Sequence, residues 1–284
     1  MNTFDILIIG GGAAGIAAAA SAYAAGCRSI AIADRKNSLG GILLQCLHHG
    51  FGQAQNGPEY TEKLLQHFPE EIVFFSSTTV LSVEKNRIAR LSGGETIRFR
   101  QLIYAAGCRE IPLGALPIAG TRPKGVYTAG QMQEKMNLHG FVPDAPAVIL
   151  GSGDLGLVMA QHLAQAGVAV TLVEKKPVCG GMSRNQKVLK DYPIRLICNA
   201  TITEIFGEAQ LEGCLLSTAE VLPCRTLLIA AGLLPDRELI LDLGNPDWLH
   251  LCGNCNRVQP MVEAVVNEGK LAGIAAWNNV RGNL

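Results

Sequence analysis

One pattern occurs twice in this chain, and few folds can hold it. The first copy is FDILIIGGGAAGIAAAASAYAAG followed by SIAIADRK: an apolar strand, a Gly-rich turn, an Ala-rich helix and a second buried strand ending in an acid. The second copy, AVILGSGDLGLVMAQHLAQAGVAVTLVEKK, keeps that order. The turn glycines are Gly10, Gly12 and Gly15, then Gly151, Gly153 and Gly156. The acids are Asp34 and Glu174, which lie 24 (34 − 10) and 23 (174 − 151) residues after the first glycine of each turn. A lone GxGxxG marks only close packing of a helix on a strand. Here each turn has its strand, its helix and its acid at the distance a dinucleotide-binding unit requires.

Each residue type has a physical task. The first glycine permits the tight turn, the second lets backbone N–H groups approach a pyrophosphate, and the third lets helix and strand pack closely. The helix N-terminus offers unpaired N–H groups and a favourable dipole to the phosphates. The acid accepts hydrogen bonds from ribose hydroxyls.

The repetition extends further. EIVFFSSTTVLSVEKNRIARL and IRLICNATITEIFGEAQLEGCLL are both β-rich, and each leads to an apolar strand running into Ala-Ala-Gly. Those triplets are Ala105, Ala106, Gly107 and Ala230, Ala231, Gly232. Two copies imply two dinucleotides. A nicotinamide that carries hydride and a flavin that exchanges it are the natural pair.

Composition agrees. The 284 residues are 48% hydrophobic and 17% charged, with a formal net charge of zero, so a large core is available and no basic nucleic-acid or membrane-surface patch is indicated. The apolar N-terminal run has a glycine cluster in its middle and no basic flank, which fits strand, turn and helix better than a membrane span or signal peptide. Nine irregularly spaced cysteines without an export signal fit a reducing cytoplasm.

The whole chain resembles the two-dinucleotide-binding-domain flavoproteins of the pyridine nucleotide–disulfide oxidoreductase superfamily. GGILLQCLHHGFG, GVYTAGQMQ, VILGSGDLGLVMA, CGGMSRN and CGNCNRV also resemble a subgroup associated with anaerobic glycerol-3-phosphate dehydrogenase-like subunits. The resemblance implies an α/β fold: two Rossmann-like, three-layer dinucleotide-binding domains, the second inserted in the first, each with a small β-meander. The FAD-binding domain would be 1–111 and 238–284, and the NAD(P)H-binding domain 112–237. EIPLGALPIAGTRPKG and GLLPDREL would be the two connections, thin enough to permit rotation. The implied partners are a small cysteine-containing electron-transfer protein and a dehydrogenase subunit. The dimerisation domain of larger relatives is missing, so a dimer is only one option.

The implied FAD contacts are Gly10, Gly12, Ala13, Ala14, Gly15, Asp34, Arg35, Gly41, Gln45, Val80, Ala106, Gly107, Gly253, Asn254 and Met261. Asn254 stands where the superfamily has an acid, and a helix starting near Pro260 would point its N-terminus at the flavin. The implied NAD(P)H contacts are Gly151, Gly153, Asp154, Leu155, Gly156, Glu174, Lys175, Ala231 and Gly232. Glu174 favours NADH, since a 2′-phosphate would meet a carboxylate. Lys175, Lys176 and Arg184 offer the opposite chemistry.

GGILLQCLHHGFG follows the second strand. Its single cysteine excludes the dithiol that the disulfide reductases carry here. Cys46 is open to three readings: an apolar filler, a peroxide-reducing thiolate near His48 or His49, or a thiol that pairs with a partner protein. The two histidines point opposite ways on an extended segment, so His49 suits a proton shuttle better than a metal. Cys252 and Cys255 form a CxxC beside Gly253-Asn254, either buried packing or a redox dithiol. Cys27, Cys108, Cys179, Cys198, Cys214 and Cys224 show no pattern, and His162 is a packing or surface residue. Three functions follow: an FAD-dependent NAD(P)H oxidoreductase, a thioredoxin-reductase-like enzyme using Cys252 and Cys255, and an electron-transfer subunit silent without its dehydrogenase.

Overall fold

A computed structural model describes residues 1–282. The chain begins with β1 (Asn2–Ile9), α1 (Ala13–Ala24), β2 (Ile30–Ala33), α2 (Gly57–Leu65), β3 (Val73–Phe75), β4 (Val80–Glu84), β5 (Ile88–Leu91) and β6 (Thr96–Tyr104). Next come β7 (Cys108–Glu110), β8 (Ala119–Gly120), β9 (Val126–Thr128), α3 (Ala129–His139), β10 (Ala147–Leu150), α4 (Asp154–Gln165) and β11 (Val170–Val173). They are followed by α5 (Ser183–Gln186), α6 (Val188–Asp191), β12 (Arg195–Ile197), β13 (Ile202–Phe206), β14 (Gly213–Leu216), β15 (Val221–Pro223) and β16 (Thr226–Ile229). The last elements are β17 (Leu233–Pro235), β18 (Leu249–Leu251) and α7 (Val262–Gly282). The chain divides into two compact units: Met1–Arg109 with the described residues from Leu234 on, and Glu110–Leu233.

In the first unit β3, β2, β1 and β6 lie side by side and parallel. β6 is long enough to serve two neighbours. Its first part pairs antiparallel with β5 of the β4–β5 meander, and its last residues pair parallel with β18 (Leu102 with Leu249). Alternation along β1 sends Ile6 and Ile8 into one core with Ala14, Ala18, Ile103 and Ala276. Leu7 and Ile9 enter the opposite core with Phe99, Leu102 and Trp248. Burial on both faces explains why these strands read as unbroken apolar runs.

Helix α1 contacts α7 through small residues. A methyl group added at Gly269 would lie 2.2 Å from the Ala14 carbonyl oxygen, and one at Gly273 would lie 2.2 Å from that of Ala18. No larger residue permits this approach, which presses the start of α1 into place.

The second unit repeats the arrangement with β12, β11, β10, β16 and β9, all parallel. Helices α3 and α4 cover one face with Met132, Leu157, Met159 and Leu163. The β13–β14–β15 meander, extended by β8, covers the other with Ile202, Leu216 and Leu222. The Pro- and Gly-rich stretch read as a plain connection therefore contributes β8 to this meander. β9 occupies the place in this sheet that β18 occupies in the first, although it comes first along its unit rather than last. Among the described residues no helix is long and apolar enough to cross a membrane.

Candidate functional site

The two Gly-rich turns have the same construction. Gly10 and Gly151 have φ of 104° and 107°, values that side chains rarely tolerate. A methyl group at either would sit 2.4 Å from the Ala105 carbonyl oxygen or 2.3 Å from that of Ala230. The repeated Ala-Ala-Gly is thereby explained, since its first carbonyl presses on the first turn glycine. A methyl at Gly15 or Gly156 would meet the carbonyl oxygen of Gly10 at 1.9 Å or of Gly151 at 2.2 Å.

The middle glycines differ from these. Gly12 (φ −77°, ψ −171°) and Gly153 (φ −65°, ψ 177°) have extended backbones open to any residue. A methyl group on either would meet nothing within 4 Å. The fold gives no reason for glycine here, so the reason is a partner that comes close to the backbone from outside the chain. Helix capping agrees. α2 and α3 begin with full capping boxes, Asn56 with Glu59 and Thr128 with Gln131. α1 and α4 begin at Gly12 and Gly153 with no side-chain cap, and their leading N–H groups are left to a ligand.

Both acids fasten their turns. Asp34 Oδ2 accepts the Gly11 N–H at 2.6 Å, and Oδ1 accepts the Lys36 N–H at 2.8 Å. Glu174 Oε1 likewise accepts the Lys176 N–H at 2.9 Å. Its Oε2 accepts both the Ser152 N–H (2.9 Å) and the Ser152 hydroxyl (2.6 Å). Burial pushes the Glu174 carboxyl up, but these bonds, with Lys176 nearby, outweigh it and hold the group below its ordinary range. Lys175, Lys176 and Arg184 are exposed.

A further repeated signal escapes a comparison confined to the turns and the acids. A Gly-Gly pair follows each acid by six residues (40 − 34 and 180 − 174). Gly40 donates to the Gly11 carbonyl at 2.8 Å. Gly180 donates to the Ser152 hydroxyl at 2.9 Å. In the second unit the strap continues: Asp154 Oδ1 accepts the Met182 N–H (2.8 Å) and the Asn185 amide (2.6 Å).

The remaining first-unit residues are spread over both faces of the sheet. Gly41 lies against the Gly12 Cα and begins a short 3₁₀ helix, Gly41–Gln45, that ends at the buried Gln45. Val80 is half-buried on β4, Arg35 is exposed, and Ala106 and Gly107 follow the end of β6. His48 packs on Phe51 with ring centroids 5.2 Å apart, and His49 is exposed. Asn254 is engaged within the protein: its Oδ1 accepts the Gln259 N–H at 2.9 Å and its amide faces the Cys108 sulfur at 3.7 Å. Glu268 of α7 braces this turn through the Gly253 N–H (2.9 Å) and the Gln259 amide (2.6 Å). That bracing delays α7 to Val262, two residues past Pro260, and leaves Met261 just before it.

Three candidate cysteines are buried. Cys46 is 8% exposed, its thiol donates to the Ile42 carbonyl, and burial pushes it up to about 12. Its surroundings fit the apolar-filler reading. Cys252 and Cys255 are fully buried, and burial raises both thiols. The Cys255 thiol donates to the Tyr104 carbonyl at 3.0 Å. The pair packs as buried thiols in this structure. Among the described residues no group of three or more His, Cys, Asp or Glu is placed to hold a metal.

Fold and turns together define a two-dinucleotide oxidoreductase, with FAD and NAD(P)H as its cofactors. The chain belongs to the pyridine nucleotide-disulphide oxidoreductase family, whose profile matches residues 4–246. It is 28% identical to an opine oxidase subunit of Rhizobium meliloti over 83% of this chain and 51% of that protein. It is 30% identical to the hydrogen cyanide synthase subunit HcnB of Pseudomonas protegens over 66% of this chain and 41% of that protein. The chain thus spans about half or less of these two relatives. The fold also matches the T. acidophilum thioredoxin reductase structure, with a TM-score of 0.80 and 20% identity over 98% of this chain and 99% of that one.

Proposed function

We propose that this chain is the NADH-oxidising or NAD⁺-reducing flavoprotein subunit of a larger oxidoreductase, with FAD held by the first unit and NADH by the second. The observation that carries this is the pair of turns whose middle glycine faces open space at an uncapped helix. When bound, the two cofactors supply the redox chemistry, a hydride exchanged between nicotinamide and flavin.

The protein's own part is binding and orientation. Backbone N–H groups of Gly12–Ala14 and Gly153–Leu155 receive the two pyrophosphates. Asp34 and Glu174 keep lone pairs for ribose hydroxyls while anchoring their turns. Asn254, fixed through Gln259 and Glu268, presents its remaining amide hydrogen and lone pair to the flavin side chain. The exposed His49 is the proton-exchanging group of this region. Glu174 supports NADH over NADPH by its charge.

The burial of Cys46, Cys252 and Cys255 supports a route in which the electrons go to or come from another component. Relatives named as subunits of opine oxidase, hydrogen cyanide synthase and sarcosine oxidase support a dehydrogenase partner. The sequence resemblance supports a small cysteine-containing protein as a second one.

The test is an anaerobic visible spectrum of the purified protein, titrated with NADH and, in a second sample, NADPH. Bleaching of a flavin band by NADH alone is expected. Bleaching by NADPH alone reverses the nucleotide assignment. No flavin after reconstitution with FAD removes the reading altogether.

A further inference from the structure

Equivalent positions of the two turns differ in charge. The residue after the middle glycine is Ala13 in the first copy and Asp154 in the second (13 − 10 = 3; 154 − 151 = 3). Each is the first residue of its helix. Ala13 is neutral and buried. Asp154 puts a carboxylate at the end of α4 that receives the nucleotide pyrophosphate under the proposed function. A carboxylate there is favourable to the helix dipole of the empty protein and repels an incoming phosphate.

The hydrogen bonds of Asp154 use its oxygen and do not require its charge. Oδ1 accepts the Met182 N–H at 2.8 Å and the Asn185 amide at 2.6 Å, fastening the strap that starts at Cys179 to the turn. Both donors are neutral. An amide or hydroxyl oxygen would accept the same bonds, so strap anchoring accounts for an acceptor here, and the negative charge acts on the helix terminus and on whatever binds there.

We propose that Asp154 sets nucleotide affinity: its charge weakens dinucleotide binding in the second unit. The nicotinamide nucleotide then exchanges as a substrate, while the FAD of the first unit, opposite the neutral Ala13, stays resident. The proposal rests on the reading that α4 receives the pyrophosphate. It requires no contact beyond those described.

The test is calorimetric titration of the FAD-loaded protein with ADP-ribose, which carries the adenosine and pyrophosphate but no reducing ring. Asp154→Asn keeps an oxygen acceptor and removes the charge. It is expected to bind ADP-ribose roughly three- to ten-fold more tightly at low ionic strength. The gain should shrink towards nothing near 1 M salt, where the Debye length is about 3 Å. Asp154→Ser, a second neutral acceptor, is expected to behave likewise if the first variant folds poorly. FAD content stays at the wild-type level in both. Unchanged or weaker affinity, or a gain that ignores salt, overturns the proposal. If the wild-type protein does not bind ADP-ribose at all, the nucleotide reading of the second unit falls and takes this inference with it. If it binds normally and only the variants fail to gain, the reading stands and the inference alone is lost.

Discussion

Gly153→Ala and Gly156→Ala, three residues apart in one turn, are expected to fail in opposite ways. A methyl at Gly153 meets nothing within 4 Å, and the backbone there is extended. Loss of unfolded-chain entropy stabilises such a change by about 0.4–1 kcal/mol. Alanine is a poorer N-cap than glycine, which costs about 0.5–1 kcal/mol. The two nearly cancel, so the melting temperature of the cofactor-free protein should move by no more than about 2 °C. The same methyl occupies the place where phosphate approaches the backbone, and NADH affinity should fall at least about ten-fold, roughly 1.4 kcal/mol. At Gly156 the methyl would lie 2.2 Å from the Gly151 carbonyl oxygen and 3.5 Å from Ala230 Cβ. Overpacking of that kind costs about 1–3 kcal/mol and lowers the melting temperature by roughly 2–4 °C per kcal/mol. Calorimetric melting of the apoprotein, followed by NADH titration of the holoprotein, reads both quantities. If Gly153→Ala melts as low as Gly156→Ala, or keeps wild-type NADH affinity, the assignment of the middle glycine to a ligand is wrong.

Three further outcomes are expected. Native protein treated with iodoacetamide near pH 8 should remain unlabelled at Cys46, Cys252 and Cys255, whose thiols burial keeps neutral, and peptide mass spectrometry should find all three labelled only after unfolding. Glu174 is held below its ordinary 4.5, so its stabilising share is present above about pH 4.5 and is lost as pH falls through the lowered value; Ser152→Gly, which copies Gly11, should cost about 1 kcal/mol at neutral pH and move that loss to higher pH in urea midpoints. Gly273→Ala should part α7 from α1, because its methyl would lie 2.2 Å from the Ala18 carbonyl oxygen, and should cost about 1–3 kcal/mol together with weaker FAD retention, read by melting and by flavin release on gel filtration.

Much of this architecture is legible because a phosphate-binding turn constrains consecutive residues. Gly10, Gly12 and Gly15, their counterparts, both acids and both Ala-Ala-Gly triplets can be read directly from local order. What escapes is set by contacts distant in sequence. β9 is three residues long and lies just past the Pro- and Gly-rich connection, and only its pairing with β16 (Tyr127 with Leu228) makes it a strand. The CxxC looks like redox chemistry because its spacing is a general signal, and the packing of Cys252 and Cys255 under Tyr104 cannot be seen from spacing. Glu268, on the helix that follows, lies fifteen residues beyond the backbone N–H it accepts (268 − 253). The Gly-Gly pairs were available in the sequence, six residues after each acid, and needed only a longer alignment of the two copies.

The position of β18 has a consequence for the order in which the protein is made. The second unit, Glu110–Leu233, is one uninterrupted stretch and carries its fifth strand, β9, near its start. The first unit receives β18 and α7 only after the whole of the second has been synthesised. Emerging from a ribosome, the second unit can close while the first still lacks an edge strand and the helix that presses on Ala14 and Ala18. Until then the apolar flank of α1 is uncovered. Translation itself thus sets a sequence of events in which the inserted unit matures first and the unit around it, begun earlier, is sealed last.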